Sequence, residues 1–362
     1  MRSLSDTLQR LQRYRTNPVM DVGPNRLKRL ENAAANPGNL LGWYYAPENG
    51  DRSGALGLVV VLHGCTQTAA GYDAGSGWSK LAGEFGFAVL FPEQSRQNNP
   101  NLCFNWFSEN DIERDRGEVR SIREMIDTMV SDHGIDPTRV FITGLSAGGA
   151  MANAMLAAYP EVFSGGAIIA GLPYGVASTV PEAFDRMRGH GLPSHERLQE
   201  RLRSASTHIG PWPTISVWHG TADKTVDESN ARAIIEQWKV MHEVGDRPAR
   251  SDAIDGHERY TWTNRAGAAA IELHRIGGMG HGTAIDTSSG YGSQAPYMLD
   301  VGISSTEHIA RGWGLTPSFE RRVQPDARPT ASNETGSDDR KEVTNYVQGV
   351  IENARRSAGL MR

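Results

Sequence analysis

An α/β protein built around a mostly parallel sheet is the fold this sequence predicts, on two observations. Short β-branched runs alternate with helical patterns along most of the chain, the signature of repeated βαβ units. The composition supplies enough apolar material to cover such a sheet with helices on both faces: 362 residues, 38% hydrophobic and 22% charged, with only 2 Cys. That balance excludes a disordered chain and a disulfide-dense mini-protein. A formal net charge of −5 without any run of basic residues also removes nucleic acid and anionic membrane from the expected partners.

Taken in chain order, Leu4, Leu8 and Leu11 fall at helical spacing and predict a short amphipathic helix in the lead-in 1–39. It lacks the apolar stretch of about 7 to 15 residues that a secretory signal carries, so none is expected. Buried strands are predicted at 56–63, 87–91, 140–143, 165–170 and 214–218, with helices between them at 77–86, 117–133, 147–159 and 228–243. A strand pair follows at 258–264 and 270–276, joined by the turn Asn264-Arg265-Ala266-Gly267. Residues 172–213 carry helical patches and several prolines but no strand pattern, and read as a cap-like insertion over one end of the sheet within a domain spanning 40–315. Residues 316–340 read as a polar linker and 341–362 as an amphipathic terminal helix. No segment reaches the roughly 20 apolar residues of a membrane span, so no membrane insertion is expected.

The chemistry starts at Gly144-Leu145-Ser146-Ala147-Gly148-Gly149. A bare G-x-S-x-G is weak, but here it follows the strand Val140-Phe141-Ile142-Thr143 and opens an Ala/Met-rich helix, the arrangement that presents a serine on a tight turn. A serine hydroxyl needs a base, and the base a carboxylate to orient it. Asp223 comes three residues after Trp218-His219-Gly220, beyond a strand end. Asp227 is its rival, but it sits where a helix should start and suits a cap. His281 lies in Gly277-Gly278-Met279-Gly280-His281-Gly282 after the last strand, whereas His274 falls inside the strand and His219 shapes the acid's loop. The oxyanion donors are expected to be the backbone N–H groups of Ala147 and of Cys65, in the His63-Gly64-Cys65 loop.

Leu62-His63-Gly64-Cys65-Thr66-Gln67, Phe91-Pro92-Glu93-Gln94, Cys103-Phe104-Asn105-Trp106-Phe107, Gly144 to Ala150, Gly171-Leu172-Pro173-Tyr174-Gly175 and Gly278 to Gly282 together resemble the short-chain-length polyhydroxyalkanoate (polyhydroxybutyrate) depolymerase family, in its branch with the oxyanion histidine before the lipase box. The resemblance covers about residues 40–315. It implies an α/β-hydrolase fold, ester hydrolysis without cofactor or metal, and Ser146, Asp223 and His281 as the triad. It further implies that the 103–106 loop borders the substrate cleft, that His63, Trp106, Tyr174 and Trp218 stand on the substrate side, and that Cys65 and Cys103 meet, as a disulfide in an oxidising compartment or as thiols in a reducing one. An indole face at Trp106 independently suits an aliphatic polyester or aryl ester. Secreted polymer-degrading members carry a signal peptide and a polymer-adsorbing domain that this chain does not show, which points away from crystalline polymer. Related feruloyl and acetyl esterases of plant polysaccharide share similar motifs and form the alternative; a non-catalytic binding module of the same fold is disfavoured, because every catalytic position can be filled. Oligomeric state is not legible in the sequence.

Overall fold

The computed structural model describes residues 26–31, 35–47 and 55–317. The expected N-terminal helix and the expected linker and C-terminal helix lie outside the described residues. The predicted strands, joined by three others, form one ten-stranded sheet. In chain order they are β1 (Lys28–Arg29), β2 (Leu41–Tyr45), β3 (Leu56–Leu62), β4 (Ala88–Glu93), β5 (Ile135–Leu145), β6 (Gly165–Ile169), β7 (Thr214–Gly220), β8 (Arg250–Ile254), β9 (His257–Thr263) and β10 (Ala269–Ile276). The sheet order is β1-β2-β4-β3-β5-β6-β7-β10-β9-β8. The stretch from β4 to β10 is parallel throughout, and antiparallel strands close each flank.

Why these segments became strands is visible in β3. Leu58, Val60 and Leu62 face one core, while Val59 and Val61 face the other, and all five are fully buried. A strand with both faces covered has no need of polar residues, hence its continuous apolar run. The first core is capped by the helices Gly117–Asp132, Ala147–Ala158 and Ser229–Lys239; the second by Ala69–Ser76, Trp78–Phe85 and Ser305–Gly312. The fold is that of an α/β-hydrolase. Strands β1, β2 and β8 were not predicted: β8 is an edge strand, Arg-Ser-Asp-Ala-Ile, whose residues are half-buried or exposed and so carry no apolar signal. None of the described helices is long and apolar enough to cross a membrane.

Residues 172–213, expected to be helical without strands, hold the helices Val180–Met187 and His195–Ser204 between β6 and β7. Two fully buried carboxamides pin this segment. Gln237 accepts from Tyr174 N–H at 2.8 Å and donates to the carbonyls of Tyr174 and Leu198, both at 3.0 Å. Asn153 donates to Leu172 O at 3.1 Å and accepts from the Trp238 indole at 2.9 Å. Replacing Gln237 by Leu would take away the Gln237 partner of both peptide groups of the half-buried Tyr174 and one bond to Leu198 O, and leaving such groups unsatisfied costs about 1–3 kcal/mol each before relaxation. Gln237→Leu is therefore expected to lower unfolding stability by roughly 2–4 kcal/mol, read from urea denaturation monitored by circular dichroism.

Candidate active site

The parallel register brings the predicted site residues to one edge of the sheet. Leu145, Ile169, Trp218 and His274 stand side by side in one row across β5, β6, β7 and β10, and Leu62 of β3 pairs with Gly144 beside it. Just beyond that row, at the carboxyl ends of their strands, come His63, Ser146, Asp223 and His281. Four loops distant in sequence are thus neighbours because the strands that carry them are neighbours.

Ser146 links β5 directly to the helix Ala147–Ala158 and adopts φ 57°, ψ −117°, a conformation costly for a side-chain-bearing residue. Its N–H donates to Ile169 O at 2.9 Å and its carbonyl accepts from Ala150 N–H at 2.8 Å, so strand and helix together hold the turn. The glycines around it are a steric requirement. A Cβ on Gly148 would lie 2.4 Å from Leu62 O, and one on Gly144 would lie 2.4 Å from Gly148 O. As the first helical residue, Ala147 has an N–H with no acceptor inside the helix, aimed out of its N-terminus.

Asp223 Oδ2 lies 2.7 Å from His281 Nδ1. A carboxylate can only accept here, so Nδ1 carries the proton and Nε2 is left as the basic nitrogen. The other carboxylate oxygen accepts from the N–H groups of Thr225 (2.8 Å) and Val226 (2.9 Å). Burial alone would raise the Asp223 pKa, but the charge of His281 and these hydrogen bonds outweigh it and hold the carboxyl below its ordinary value. The acid and histidine loops are also laced together: Ala222 N–H donates to Met279 O (2.9 Å) and Gly278 N–H to Thr221 Oγ1 (2.9 Å). Asp227, the rival acid, accepts from Ser229 N–H at 2.9 Å; the N-cap of that helix is Glu228, so Asp227 stands one residue before the cap and holds the first helical N–H. His219 is fully buried, donates through Nε2 to Val226 O at 2.9 Å and lies 3.7 Å from Asp223 Oδ2.

The loop after β3 is built around His63, which the sequence placed on the substrate side. The structure corrects this. His63 is 1% exposed and both ring nitrogens are spent inside the protein: Nε2 accepts from Gln94 N–H at 3.1 Å, so Nδ1–H donates to Gly64 O at 2.7 Å. Burial pushes its pKa down from 6.5 to about 4, against the pull of the Gly64 bond. Cys65, next in the loop, is bonded to Cys103 in a disulfide across 38 positions. The Cys103 loop is held by Glu118, 1% exposed, whose carboxyl accepts from Gln94 Nε2 (2.5 Å), Asn105 Nδ2 (2.8 Å) and Asn105 N–H (2.9 Å). Burial, with the charge of Asp111, lifts that carboxyl to about 8. Gln94 entered the sequence reading only as part of a family motif and Glu118 not at all, because a polar residue at a strand end or a helix start looks solvent-facing until the loops close over it.

Residues 43–269 match the model of the family described as esterase PHB depolymerase. The chain belongs to that family. It is 41% identical over 293 residues to the poly(3-hydroxyalkanoate) depolymerase C of Paucimonas lemoignei, covering 80% of this chain and 70% of that one. To an acetylxylan esterase of Coprinopsis cinerea it is 30% identical over 272 residues, covering 73% and 71%. The structure of an acetyl xylan esterase from Aspergillus awamori superposes with a TM-score of 0.67 at 23% identity, covering 80% of this chain and 99% of that one, which speaks for the fold alone. As a member of the esterase PHB depolymerase family the protein is a carboxylic ester hydrolase.

Of the remaining residues that the sequence put near the substrate, Trp218 is corrected like His63. Its ring stacks on His274 at 3.8 Å, its indole N–H donates to Ser216 Oγ, and it is 2% exposed inside the second core. Strand alternation turns it away from the site. Trp106 is buried, edge-on to Phe107 with ring centroids 5.7 Å apart. Tyr174 is half-buried beyond the end of β6, between the strands of Ser146 and Asp223, and burial pushes its phenol up to about 12.

Because the folded pKa of His63 lies below its ordinary value, the fold binds the neutral ring; this contribution is complete above pH 6.5 and is lost as pH falls towards 4. It amounts to about 3 kcal/mol at most. Thermal melts at pH 7, 5.5 and 4.5 should therefore show a smaller acid loss for His63→Gln than for the parent, although the variant is less stable at pH 7. The disulfide should restrain the unfolded chain by roughly 4 kcal/mol on the chain-entropy estimate. Thiol titration of the unfolded, unreduced protein is expected to find no free thiol, and reduction to lower both the melting temperature and the esterase rate.

Proposed function

We propose that this protein hydrolyses short-chain hydroxyalkanoate polyester or its oligomers, of the 3-hydroxybutyrate type, by two-step acyl transfer. The observation that carries the mechanism is the 2.7 Å Asp223–His281 contact at the sheet edge where the strained Ser146 stands. With Nδ1–H donated to Asp223, Nε2 of His281 takes the Ser146 proton as Oγ attacks the ester carbonyl. The N–H groups of Cys65 and Ala147 hold the oxyanion of the tetrahedral intermediate. His281 returns the proton to the departing alcohol, and water then cleaves the acyl-enzyme by the same route. The polyester reading is supported by the 41% identity to the Paucimonas lemoignei depolymerase. Acetyl ester hydrolysis on plant polysaccharide is the second reading, favoured by the acetylxylan esterase at 30% identity. The Cys65–Cys103 disulfide supports an oxidising compartment as the place of work.

Changing Ser146 to Ala is expected to cost roughly 10⁴-fold or more in kcat with the melting temperature retained; more than a tenth of parental activity would remove Ser146 from the mechanism. Asp223→Asn should cost roughly 10³-fold or more, and Asp227→Asn far less. A panel of p-nitrophenyl butyrate, 3-hydroxybutyrate oligomers, amorphous polymer, acetylated xylan and methyl ferulate, compared by kcat/KM, separates the two substrate readings: oligomers should lead.

A further inference from the structure

A short parallel pair, β11 (Thr283–Ile285) and β12 (Met298–Asp300), follows the histidine loop, and Tyr297 precedes β12. Its ring stands against the triad histidine: the centroids of Tyr297 and His281 are 6.1 Å apart with the planes at 81°. The backbone that presents this ring is gripped from two directions. Tyr297 O accepts from Thr283 N–H at 2.7 Å, two residues beyond His281. Pro296 O accepts from Gln67 Nε2 at 3.2 Å, while Oε1 of the same glutamine accepts from Gly64 N–H at 2.9 Å, in the loop that carries Cys65.

Two further features show that this placement is enforced. Tyr297 has φ 65°, the left-handed region that a bulky residue occupies only where its surroundings compel it. Gly282, between His281 and Thr283, has no room for a side chain: a Cβ there would lie 2.6 Å from Tyr297 O. A ring set at right angles to an imidazole at contact distance obstructs its rotation about Cβ–Cγ. The Asp223 bond orients the ring through Nδ1, and the Tyr297 ring adds a second restraint on its plane.

Resting on the Ser146–His281–Asp223 reading above, we propose that Tyr297 is a positioning residue: its ring holds the plane of His281 so that Nε2 stays aimed while it receives the serine proton and hands it to the departing alcohol. The aromatic ring does this, and the hydroxyl is not needed for it. A consequence separates positioning from mere packing. An alkoxide is a poor leaving group and needs that proton, whereas p-nitrophenolate leaves without it, so a loosened histidine hurts alkyl esters more.

The test is steady-state kinetics on p-nitrophenyl butyrate and ethyl butyrate for Tyr297→Phe, Tyr297→Ala and Tyr297→Leu, with Ser146→Ala alongside and folding checked by thermal melts. Tyr297→Leu keeps bulk without a planar ring and serves if the alanine protein does not fold. Tyr297→Phe should stay within about twofold of the parent, while Tyr297→Ala or Tyr297→Leu should lose roughly tenfold or more in kcat on p-nitrophenyl butyrate and several times more on ethyl butyrate, with KM little changed. Parental kinetics in a folded Tyr297→Ala or Tyr297→Leu protein, an equal loss on both esters, or a phenylalanine variant as impaired as these would overturn the assignment. Retained activity in Ser146→Ala would instead overturn the triad reading beneath it.

Discussion

The N-terminus of the helix Ala147–Ala158 meets the sheet backbone to backbone. Gly148 lies against the Leu62 and His63 carbonyls, Gly149 against those of Gly144 and Ile169, and Gly171 against Gly149, with no space for a Cβ at any of them. This contact sets the height of Ser146 above the strand ends, and so its relation to the loops of β3, β7 and β10. One methyl group at Gly148 would push the helix off the end of β3 and separate the serine from the loop that carries Cys65. The strain at Ser146 persists because main chain on both sides, from β6 and from the helix, leaves the turn no other course.

Around that contact the site is a set of loops, and loops at a sheet edge need something to hold them. Here a chain of polar groups does it, with His63, Gln94 and Glu118 buried and Gln67 nearer the surface. His63 bonds Gly64 and Gln94; Gln94 and Glu118 hold the Cys103 loop; the disulfide joins that loop to Cys65; Gln67 continues the chain of bonds to Pro296. Each of these groups is worth more satisfied than exposed only while the others stay in place, because an unpaired polar group in this environment costs more than its bond contributes. The site is therefore rigid as a unit, which is what a reaction dependent on atoms held within about half an ångström requires.

The two histidines of greatest consequence show how surroundings divide a common side chain between roles. His63 is sealed, neutral and bonded through both nitrogens, and is structural. His281 is bonded through Nδ1 to a buried carboxylate held ionised by that partner and by two backbone N–H groups, leaving Nε2 outside that bond, the nitrogen to which the proposed mechanism gives the proton transfer. Nothing in the residue type distinguishes them; the number of partners does.

The parallel sheet, its main helices, and the placing of Ser146, Asp223 and His281 beyond strand ends, with Asp223 meeting His281, were legible in the sequence. The physical reason is local: buried strands are continuous apolar runs, tight turns demand glycine, and strands in parallel bring their carboxyl ends together whatever separates them along the chain. The pairing of Cys65 with Cys103 came from family resemblance, and only the fold shows the bond. What tertiary structure alone decided is which way side chains face and what polar residues meet. Trp218 turned into the core and His63 closed on its own loop, although both stand beside candidate site residues in sequence. Edge strand β8 formed from residues with no apolar pattern, because neighbouring β9 supplied the pairing. Gln67, Gln94, Glu118, Gln237 and Tyr297 owe their parts to partners tens to hundreds of positions away, and such contacts leave no periodicity in a single chain to be read.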